Sequence, residues 1–294
     1  MDDFKPIALE DKNIINEVFA ADPPAISEFT FTNLFIWRHR YKPRWKLRKD
    51  CLFIIFEPSP GKPVGLPPVG PGDKRAAVAE LMDFLQETTS RPRIERVPEV
   101  YLEAHVDQKR FLAVEDPDNS DYVYLAGDLI NLSGRKYHSK RNHLNRFLRT
   151  YRYSYRNLDP EFIECFLELQ EQWCQLKNCA QDPSLLTEDY AVREALTHFE
   201  DLDYVGGAIL VEDKVEAFSL GELLNPDTAV IHIEKANPKI PGLYAAINQM
   251  FCKNAWSGAT YINREQDLGI DGLRRAKRSY HPHQMVRKFT LIPA

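Results

Sequence analysis

The amino-acid sequence predicts an α/β protein with mixed sheets, built as two units with a cleft between them. Its 294 residues are enough for about two domains that each bury a core. Apolar stripes of helical period alternate with short strands along the chain. The second half runs through helices, a hairpin, and then alternating strands and helices, and the first half repeats this order in outline. One irregular α+β domain with a long insertion is the alternative interpretation.

The first unit is predicted to span residues 1–130 and to begin with two helices. The second of these helices has Ser27 as its candidate N-cap. Six prolines and four glycines between residues 58 and 72 predict a loop. The expected helices cover residues 11–21, 27–37 and 74–88, and the expected strands cover residues 44–47, 52–56, 111–114 and 122–125.

The second unit is predicted to span residues 131–294. Its first helix has Ser133 as the candidate N-cap. On one of its strands, alternation predicts that His232 and Glu234 share a face, opposite to Ile231 and Ile233. The expected helices cover residues 133–150, 160–177, 187–199, 242–256 and 270–280, and the expected strands cover residues 153–155, 204–211, 215–224, 228–235, 260–263 and 285–292.

The composition predicts a globular protein of the reducing cytoplasm. Apolar residues make up 44% of the chain and charged residues 28%, with a net charge of −5, so any polyanion binding must be local. The longest apolar run, residues 51–56, is far too short to span a membrane, and the acidic N-terminus lacks the apolar core of a signal peptide. Five cysteines form an odd set without a CxxC pair, which argues against a disulfide framework. Cys174 and Cys179 are expected to pack on different faces of one helix.

A strongly basic segment opens the second unit. Residues 133–158 contain eight Lys and Arg residues and no Asp or Glu. Such a run is either a solvated helix face or a phosphate-binding surface for tRNA or another polyanion. The interleaved aromatic residues either stack bases or pack the core. The candidate polyanion-binding residues are Arg135, Lys136, Lys140 and Arg141.

Three strings of this sequence resemble a known bacterial family. They are "SGRKYHSKRNHLNRF" from residue 133, "GLYAAINQMF" from residue 242 and "YINREQDLGIDGLRRAKRSYHP" from residue 261. With the element order, they resemble the family related to the C-terminal domain of phosphatidylglycerol lysyltransferase, which is similar to the Fem-type aminoacyl-tRNA-dependent transferases. The resemblance implies a tandem GNAT-like (acyl-CoA N-acyltransferase) fold and acyl or aminoacyl transfer, with aminoacyl-tRNA as a donor. Those lysyltransferases carry a membrane-embedded segment before this domain; no such segment is expected here, so a lipid acceptor is not expected.

Acetyl-CoA is not expected as a cofactor. GNAT enzymes that use it resemble one another in a glycine-rich loop after the fourth strand, whose amides hold the pyrophosphate at a helix N-terminus. The equivalent stretch here, "KANPKIPGLYAAINQ", offers Gly242 but no second glycine at the family's spacing, and Pro238 and Pro241 remove two amide donors. Acetyl-CoA-dependent N-acetyl transfer and non-catalytic binding of a ligand or RNA are the alternative functions.

The candidate transfer site follows the fourth and fifth strands of the second unit, where the resemblance places a GNAT site. A carboxylate beside cations stays ionised, so it suits holding a substrate ammonium or accepting its proton. Neighbouring hydrogen-bonding side chains are expected to position the substrate. The candidate catalytic residues are Glu234, Glu265 and Tyr280, and the candidate substrate-binding residues are Lys235, Asn248, Asn263, Arg264 and Asp267.

The helix predicted after this site adds a cationic face. Leu273, Ala276 and Tyr280 have the spacing of an apolar face that packs inward. Arg274 and Lys277 share a cationic face, which is a candidate surface for an anionic donor. No metal site is predicted, because the paired histidines near the C-terminus have no Cys or acidic ligand beside them in sequence.

Overall fold

The structure, a computed structural model, describes residues 3–294. The chain divides into two compact units. The first contains the residues up to Asp121 together with Gln266–Asp271 and Met285–Ala294, and the second contains Tyr122–Glu265 and Gly272–Gln284. Residues 122–130 thus group with the second unit, and two late segments of the chain return to the first.

Helices and strands alternate along the described chain. The first elements are β1 (Lys5–Pro6), α1 (Lys12–Ala21), α2 (Phe31–Ile36), α3 (Arg38–Tyr41), β2 (Arg44–Arg48), β3 (Cys51–Phe56), β4 (Val64–Gly65), α4 (Lys74–Thr88), β5 (Ile94–Pro98), α5 (Glu99–His105), β6 (Phe111–Glu115) and β7 (Asp121–Leu125). They are followed by α6 (Ala126–Asn131), α7 (His138–Thr150), β8 (Tyr153–Asn157), α8 (Ile163–Lys177), α9 (Pro183–Thr197), β9 (Val205–Val211), β10 (Lys214–Asn225), β11 (Thr228–Ala236), α10 (Leu243–Ala255), β12 (Tyr261–Asn263), α11 (Asp271–Arg278), β13 (Gln284–Val286) and β14 (Lys288–Pro293).

The first sheet has the strand order β1-β2-β3-β4-β5-β14-β6. Helix α4 covers it with a buried apolar stripe that includes Val78, Leu81 and Leu85. The helix begins where the Asp73 side chain accepts a hydrogen bond from the Ala76 amide, which satisfies one of the free N–H groups of the first turn. The helix predicted over residues 74–88 is therefore confirmed.

Two features of the first unit differ from the prediction. Helix α2 is capped by Thr30, whose side chain accepts the Asn33 amide, whereas Ser27 donates its amide and its hydroxyl to Asp121. The prediction of Ser27 as N-cap is wrong, because a partner distant in sequence engages its side chain. Strand β5 and helix α5 were not predicted; β5 pairs with β14, far along the chain, and local periodicity does not report such pairing.

The second sheet has the strand order β13-β7-β12-β11-β10-β9-β8. Strands β11 and β12 are parallel, while β10 pairs antiparallel with both β9 and β11. Helix α10 packs on this sheet through Leu243, Ala246, Ile247 and Phe251, all fully buried. Because α10 is apolar along most of its length, its polar Asn248 needs a partner on the sheet.

Helix α7 begins later than predicted. Helix α6 precedes it, a short 3-10 helix covers Arg135–Tyr137, and no side chain caps the first turn of α7. Gly134 has φ of +84°, in the left-handed region, which is not a helical conformation. The helical residues therefore begin after Gly134, and Ser133 lies outside the helix. The prediction of Ser133 as N-cap is therefore wrong.

Cys174 and Cys179 form a disulfide, with 5.0 Å between their Cα atoms. The prediction that they pack on separate faces of one helix is wrong. Helix α8 ends at Lys177, and Asn178 adopts the left-handed conformation, so the chain turns back and brings Cys179 to Cys174. The expectation of a chain without disulfides is also wrong, because these two cysteines are paired.

Candidate functional site

The candidate site forms where two parallel strands separate. Strand β11 pairs with β12 only from Thr228 to Val230, opposite residues 261–263. Beyond that point β11 continues to Ala236, whereas β12 ends at Asn263 and the following residues no longer pair with β11. The side chains that follow both strands therefore gather at one end of the parallel pair, which is where ligands bind in many α/β sheets.

A β-bulge in β11 decides which residues share a face. Leu220 and Gly221 on β10 pair with Ile233 and Ile231, so His232 is an extra residue between them. One inserted residue reverses the alternation that follows it. Ile231 packs with helix α10, and Glu234, on the other side of the bulge, also faces that helix. The prediction that His232 and Glu234 share a face opposite to Ile231 is therefore wrong.

Glu234 lies at the centre of a buried hydrogen-bonded cluster. Its Oε1 accepts a hydrogen bond from Nη2 of Arg264 at 2.9 Å, and its Oε2 accepts one from Nδ2 of Asn248 at 2.9 Å. The side chains of Arg264 and Glu234 are only 12% and 13% exposed. The structure thus brings together three of the predicted site residues, one each from β11, α10 and the chain after β12.

Two tyrosine rings line the Arg264 guanidinium. The ring centroid of Tyr280 lies 4.9 Å from its Cζ, and that of Tyr124 lies 5.8 Å away. Burial alone would lower the pKa of Arg264. The nearby Glu234 carboxylate has the opposite and larger effect, so the pKa of Arg264 lies above the ordinary arginine value. Burial raises the pKa of the Tyr280 phenol, which the nearby Arg264 partly offsets, so the phenol is neutral at pH 7.

Two atoms of this cluster lack hydrogen-bond partners among residues 3–294. They are Nη1 of Arg264 and Oδ1 of Asn248, both buried. A buried polar atom that stays unpaired costs about 1–3 kcal/mol. The cluster therefore contains one donor and one acceptor that the described residues leave unused.

Lys140 reaches the edge of this cluster from helix α7. Its Nζ lies 3.9 Å from the ring centroid of Tyr280. The sequence predicted Lys140 as a polyanion-binding residue, with no relation to the candidate transfer site. A signal for its position was present: Lys140, Leu144 and Phe147 have the spacing of one helix face, and Phe147 is fully buried.

Glu265 belongs to a second cluster, centred on His232. Nδ1 of His232 lies 2.8 Å from Oε1 of Glu265, and Nε2 lies 2.8 Å from Oε1 of Glu222. Burial alone would lower the pKa of His232, but the hydrogen bonds and charges of the two glutamates raise it to about 9. His232 is therefore an imidazolium at pH 7 and donates from both nitrogens. The sequence prediction missed this role of His232.

Asn263 and Asp267 act as turn residues. Oδ1 of Asn263 accepts the Glu265 amide at 2.7 Å, which supports the left-handed backbone of Glu265 at φ +57°. Oδ1 of Asp267 accepts the Gly269 amide at 2.9 Å, in the segment that belongs to the first unit. Both side chains hold the backbone after β12 in shape.

Lys235 does not join Glu234. Its Nζ lies 3.6 Å from the ring centroid of Trp173 on α8 and forms an ion pair with Glu188 on α9 at 2.9 Å. Adjacent strand residues point to opposite faces, so Lys235 and Glu234 cannot contact the same small substrate. Burial lowers the pKa of Lys235, which Glu188 partly offsets.

The two faces predicted for α11 are not observed. Lys277 is buried and donates a hydrogen bond to the Arg264 carbonyl, whereas Ala276 is exposed. Arg274 is half-buried. The prediction of one cationic face on this helix is wrong, because Lys277 points inward to the backbone carbonyl of Arg264.

The four predicted polyanion-binding residues lie in different environments. Lys136 forms an ion pair with Asp128 at 3.0 Å, Arg141 donates to the carbonyls of Leu132 and Gly134, and Arg135 is exposed. The exposed cations on one face of α7 lie further along the helix. This face borders a shallow depression of about 370 Å³, lined by Asn142, Asn145, Arg146, Arg149 and Thr150.

Helix α10 does not offer a pyrophosphate cradle. Gly242 has φ of +86°, and a side chain there would meet the His143 carbonyl oxygen at 2.2 Å. The space beside this glycine is therefore filled by α7 and not left open for a phosphate. The Leu243 amide already donates to the Ile240 carbonyl. The residues present do not fit coenzyme A.

Acetyl-CoA is accordingly expected to bind very weakly. Titration calorimetry should show no saturable heat up to about 1 mM ligand, which corresponds to a binding free energy weaker than about −4 kcal/mol. A micromolar dissociation constant would contradict this expectation and favour N-acetyl transfer.

Among residues 3–294, no group of three or more His, Cys, Asp and Glu side chains is placed to hold a metal ion.

The element order and the separating parallel strands define a tandem GNAT-like protein, as predicted. The chain belongs to the family described as phosphatidylglycerol lysyltransferase, C-terminal, whose family model matches residues 22–292. The resemblance found in the sequence is therefore confirmed.

Throughout residues 3–294, no helix is both long enough and apolar enough to cross a membrane.

Three solved structures are similar over nearly the whole chain. A conserved protein of unknown function from Bacteroides thetaiotaomicron VPI-5482 is 35% identical, with a TM-score of 0.93 and 100% of both chains covered. The C-terminal domain of a putative lysylphosphatidylglycerol synthetase from Agrobacterium fabrum is 12% identical, with a TM-score of 0.70, covering 96% of this chain and 91% of that one. FemX is 11% identical, with a TM-score of 0.61, covering 98% and 96%. The last two likenesses concern the fold alone.

A curated relative matches over a shorter stretch. An uncharacterised protein of Mycoplasmoides gallisepticum is 22% identical over 185 residues, which is 63% of this chain and 59% of that protein. The matched part therefore spans about three-fifths of that relative.

Proposed function

We propose that this protein is an aminoacyltransferase, which moves an aminoacyl group from aminoacyl-tRNA to an amine or hydroxyl acceptor. The observation that carries the proposal is the buried cluster of Glu234, Asn248 and Arg264 at the end of the parallel strands. Membership of the phosphatidylglycerol lysyltransferase family supports the reaction class. Because the proposed reaction consumes aminoacyl-tRNA, we infer that the protein acts in the cytoplasm.

Arg264 is the electrophilic group of the proposed site. Transfer from an ester passes through a tetrahedral intermediate with a negative oxygen, and a fixed cationic donor stabilises that charge. Nη1 of Arg264 is the donor without a partner. Glu234 and Asn248 hold the guanidinium and its surroundings in place, so Glu234 acts by positioning and not as a free base, since both of its oxygens accept hydrogen bonds.

Tyr280 and Glu265 have different proposed roles. Tyr280 keeps its proton at pH 7 and lies against Arg264, so its hydroxyl is a second donor toward the substrate. Glu265 supports the site from outside, because His232 holds its carboxylate and the Asn263 side chain holds its amide. The proposed donor-binding surface is the exposed face of α7, where Arg146 and Arg149 border a depression.

The test is a transfer assay with tRNA charged with radiolabelled amino acids. Label should move from the tRNA into a small-molecule or lipid product when bacterial small-molecule and lipid fractions serve as acceptors. The Arg264→Met variant should lose about 100-fold or more of the rate, as for removal of an oxyanion-hole donor. Tyr280→Phe, which keeps the ring packing, should also slow transfer.

The matched control is Arg275→Met on α11. Arg275 is exposed, and its loss removes the same charge without touching the cluster. It should transfer label at the wild-type rate. Binding of charged tRNA without any transfer by the wild-type protein would instead support a non-catalytic binding protein. Circular dichroism and thermal unfolding of each variant separate loss of the site from loss of the fold.

A further inference from the structure

Lys140 differs from the other cations of the basic segment. It lies on the face of α7 that carries Leu144 and Phe147 into the core, whereas Arg146 and Arg149 are exposed. In the described chain, the Lys140 ammonium makes no hydrogen bond and no ion pair; it lies 3.9 Å from the ring centroid of Tyr280. A half-buried lysine without a carboxylate partner is uncommon and costly.

The surroundings of Lys140 disfavour its charged form. The charged and titratable groups that face it are Arg264 after β12, Glu234 on β11 and Tyr280 after α11. Burial lowers its pKa, the Arg264 charge lowers it further, and Glu234 partly offsets both, which leaves the pKa at about 8. Glu234 is already paired with Arg264 at 2.9 Å. A substantial fraction of Lys140 is therefore a neutral amine near physiological pH.

We propose that Lys140 is the proton-transferring catalytic residue of the transfer site, acting beside Arg264 on the face of the sheet covered by α10. This inference rests on the proposed aminoacyl transfer. An ester whose carbonyl oxygen reaches Nη1 of Arg264 lies close to Tyr280 and Lys140, because the Tyr280 ring contacts both the Arg264 guanidinium and the Lys140 ammonium. The position of Lys140 at the partly exposed edge of the cluster gives it access to the acceptor.

The proton balance of the step is complete without another reagent. The neutral amine of Lys140 accepts the proton that the acceptor nitrogen or hydroxyl loses as it attacks the ester carbonyl carbon. The ester C–O bond then breaks, and the Lys140 ammonium returns that proton to the departing ribose oxygen of the tRNA. The products are the new amide or ester and a free ribose hydroxyl, and Lys140 is again neutral.

The first experiment measures the amine and needs no turnover. Competitive acetylation of the wild-type protein over a range of pH, read out by mass spectrometry, gives the labelling midpoint of each lysine. Lys140 should have a midpoint near 8. Lys136, one turn earlier, is the comparison in the same sample, because its hydrogen bond to Asp128 raises its pKa. At pH 8 we expect Lys140 to react about 10-fold faster or more. A Lys140 midpoint near the ordinary lysine value of about 10.4 would overturn the proposal.

The second experiment uses Lys140→Arg in the transfer assay. Arginine keeps the positive charge but does not release its proton. The variant should lose about 100-fold of the transfer rate, while its affinity for charged tRNA in a filter-binding assay stays within about twofold. The wild-type rate should rise with pH around the Lys140 midpoint. Lys140→Met should lose the rate as well, so the result does not depend on one variant folding.

The outcomes separate the two proposals. If the wild-type protein transfers label and Lys140→Arg transfers it equally well, the role of Lys140 is refuted and the transferase function stands. If the wild-type protein transfers no label from any charged tRNA, the transferase function fails, and the role of Lys140 fails with it. A rate loss that comes entirely from weaker tRNA binding would return Lys140 to the polyanion-binding role.

Discussion

Replacement of Lys288 by methionine is expected to lower the free energy of unfolding by about 3–5 kcal/mol. The Lys288 side chain is 0% exposed, and its Nζ lies 2.7 Å from Glu28 and 2.6 Å from Asp121. Without the ammonium, two carboxylates stay close together in the interior of the first unit, where Glu28 also pairs with Arg96. Urea unfolding followed by circular dichroism measures the change.

The matched control is the preceding residue. Arg287 also pairs with two carboxylates, Glu99 and Glu115, but all three side chains are well exposed. Arg287→Met should leave the unfolding midpoint nearly unchanged, because water solvates the freed groups. Equal losses in the two variants would contradict the view that burial, and not the number of ion pairs, decides the effect.

The Lys288 cluster also explains a limit of the sequence prediction. Its charged members come from residues 28, 96, 121 and 288, which no local pattern connects. The sequence predicted a strand at residues 285–292 but assigned it to the second unit. In the structure β14 lies between β5 and β6 of the first sheet. Periodicity predicts that a segment is a strand, but the partner strand depends on long-range packing.

Elements with strong local signals were predicted well. Helix α4 has the predicted limits, and the β9–β10 hairpin and helix α10 differ by a residue or so at their ends. These segments combine a buried apolar stripe with defined turn or cap residues, so local preference and tertiary packing agree. Helix α5 and the short α6 were not predicted, because their few buried residues produce no clear period.

The candidate site was predicted in part. Glu234, Asn248, Arg264 and Tyr280 were selected from the element order and the family resemblance, and they lie together. Lys235 and Glu265 were selected by the same reasoning but have partners elsewhere. For Lys235 the difference comes from the bulge at His232, a single extra residue that reverses the alternation along β11. A bulge of this kind is set by pairing with β10 and leaves no local signal in β11.

The second cluster, formed by His232 with Glu222 and Glu265, should make the free energy of unfolding depend on pH. The pKa of His232 in the folded protein is about 9, compared with about 6.5 for an unperturbed histidine. A raised pKa means that the folded state binds the proton more tightly, so this contribution is fully present below about pH 6.5. It declines as the pH rises and is lost above about pH 9, with a total size of about 3 kcal/mol.

The variant that isolates this contribution is His232→Gln. The wild-type protein should lose stability relative to the variant as the pH rises from about 6.5 to 9, and their difference should become constant above that range. The comparison of the two proteins matters because Lys140 acts in the opposite sense: its lowered pKa adds stability as the pH rises from about 8 toward the unfolded value. That term is common to both proteins and cancels in the difference.

His198→Gln is the control for the histidine substitution itself. His198 also lies near two carboxylates, Glu194 and Asp201, but it is about a quarter exposed. Its variant shows how much of any change comes from replacing a histidine by glutamine beside two carboxylates. If His232→Gln retained the wild-type slope between pH 6.5 and 9, His232 would not be the imidazolium that holds Glu265. The backbone after β12, and with it Arg264, would then depend on the Asn263 and Lys277 hydrogen bonds instead.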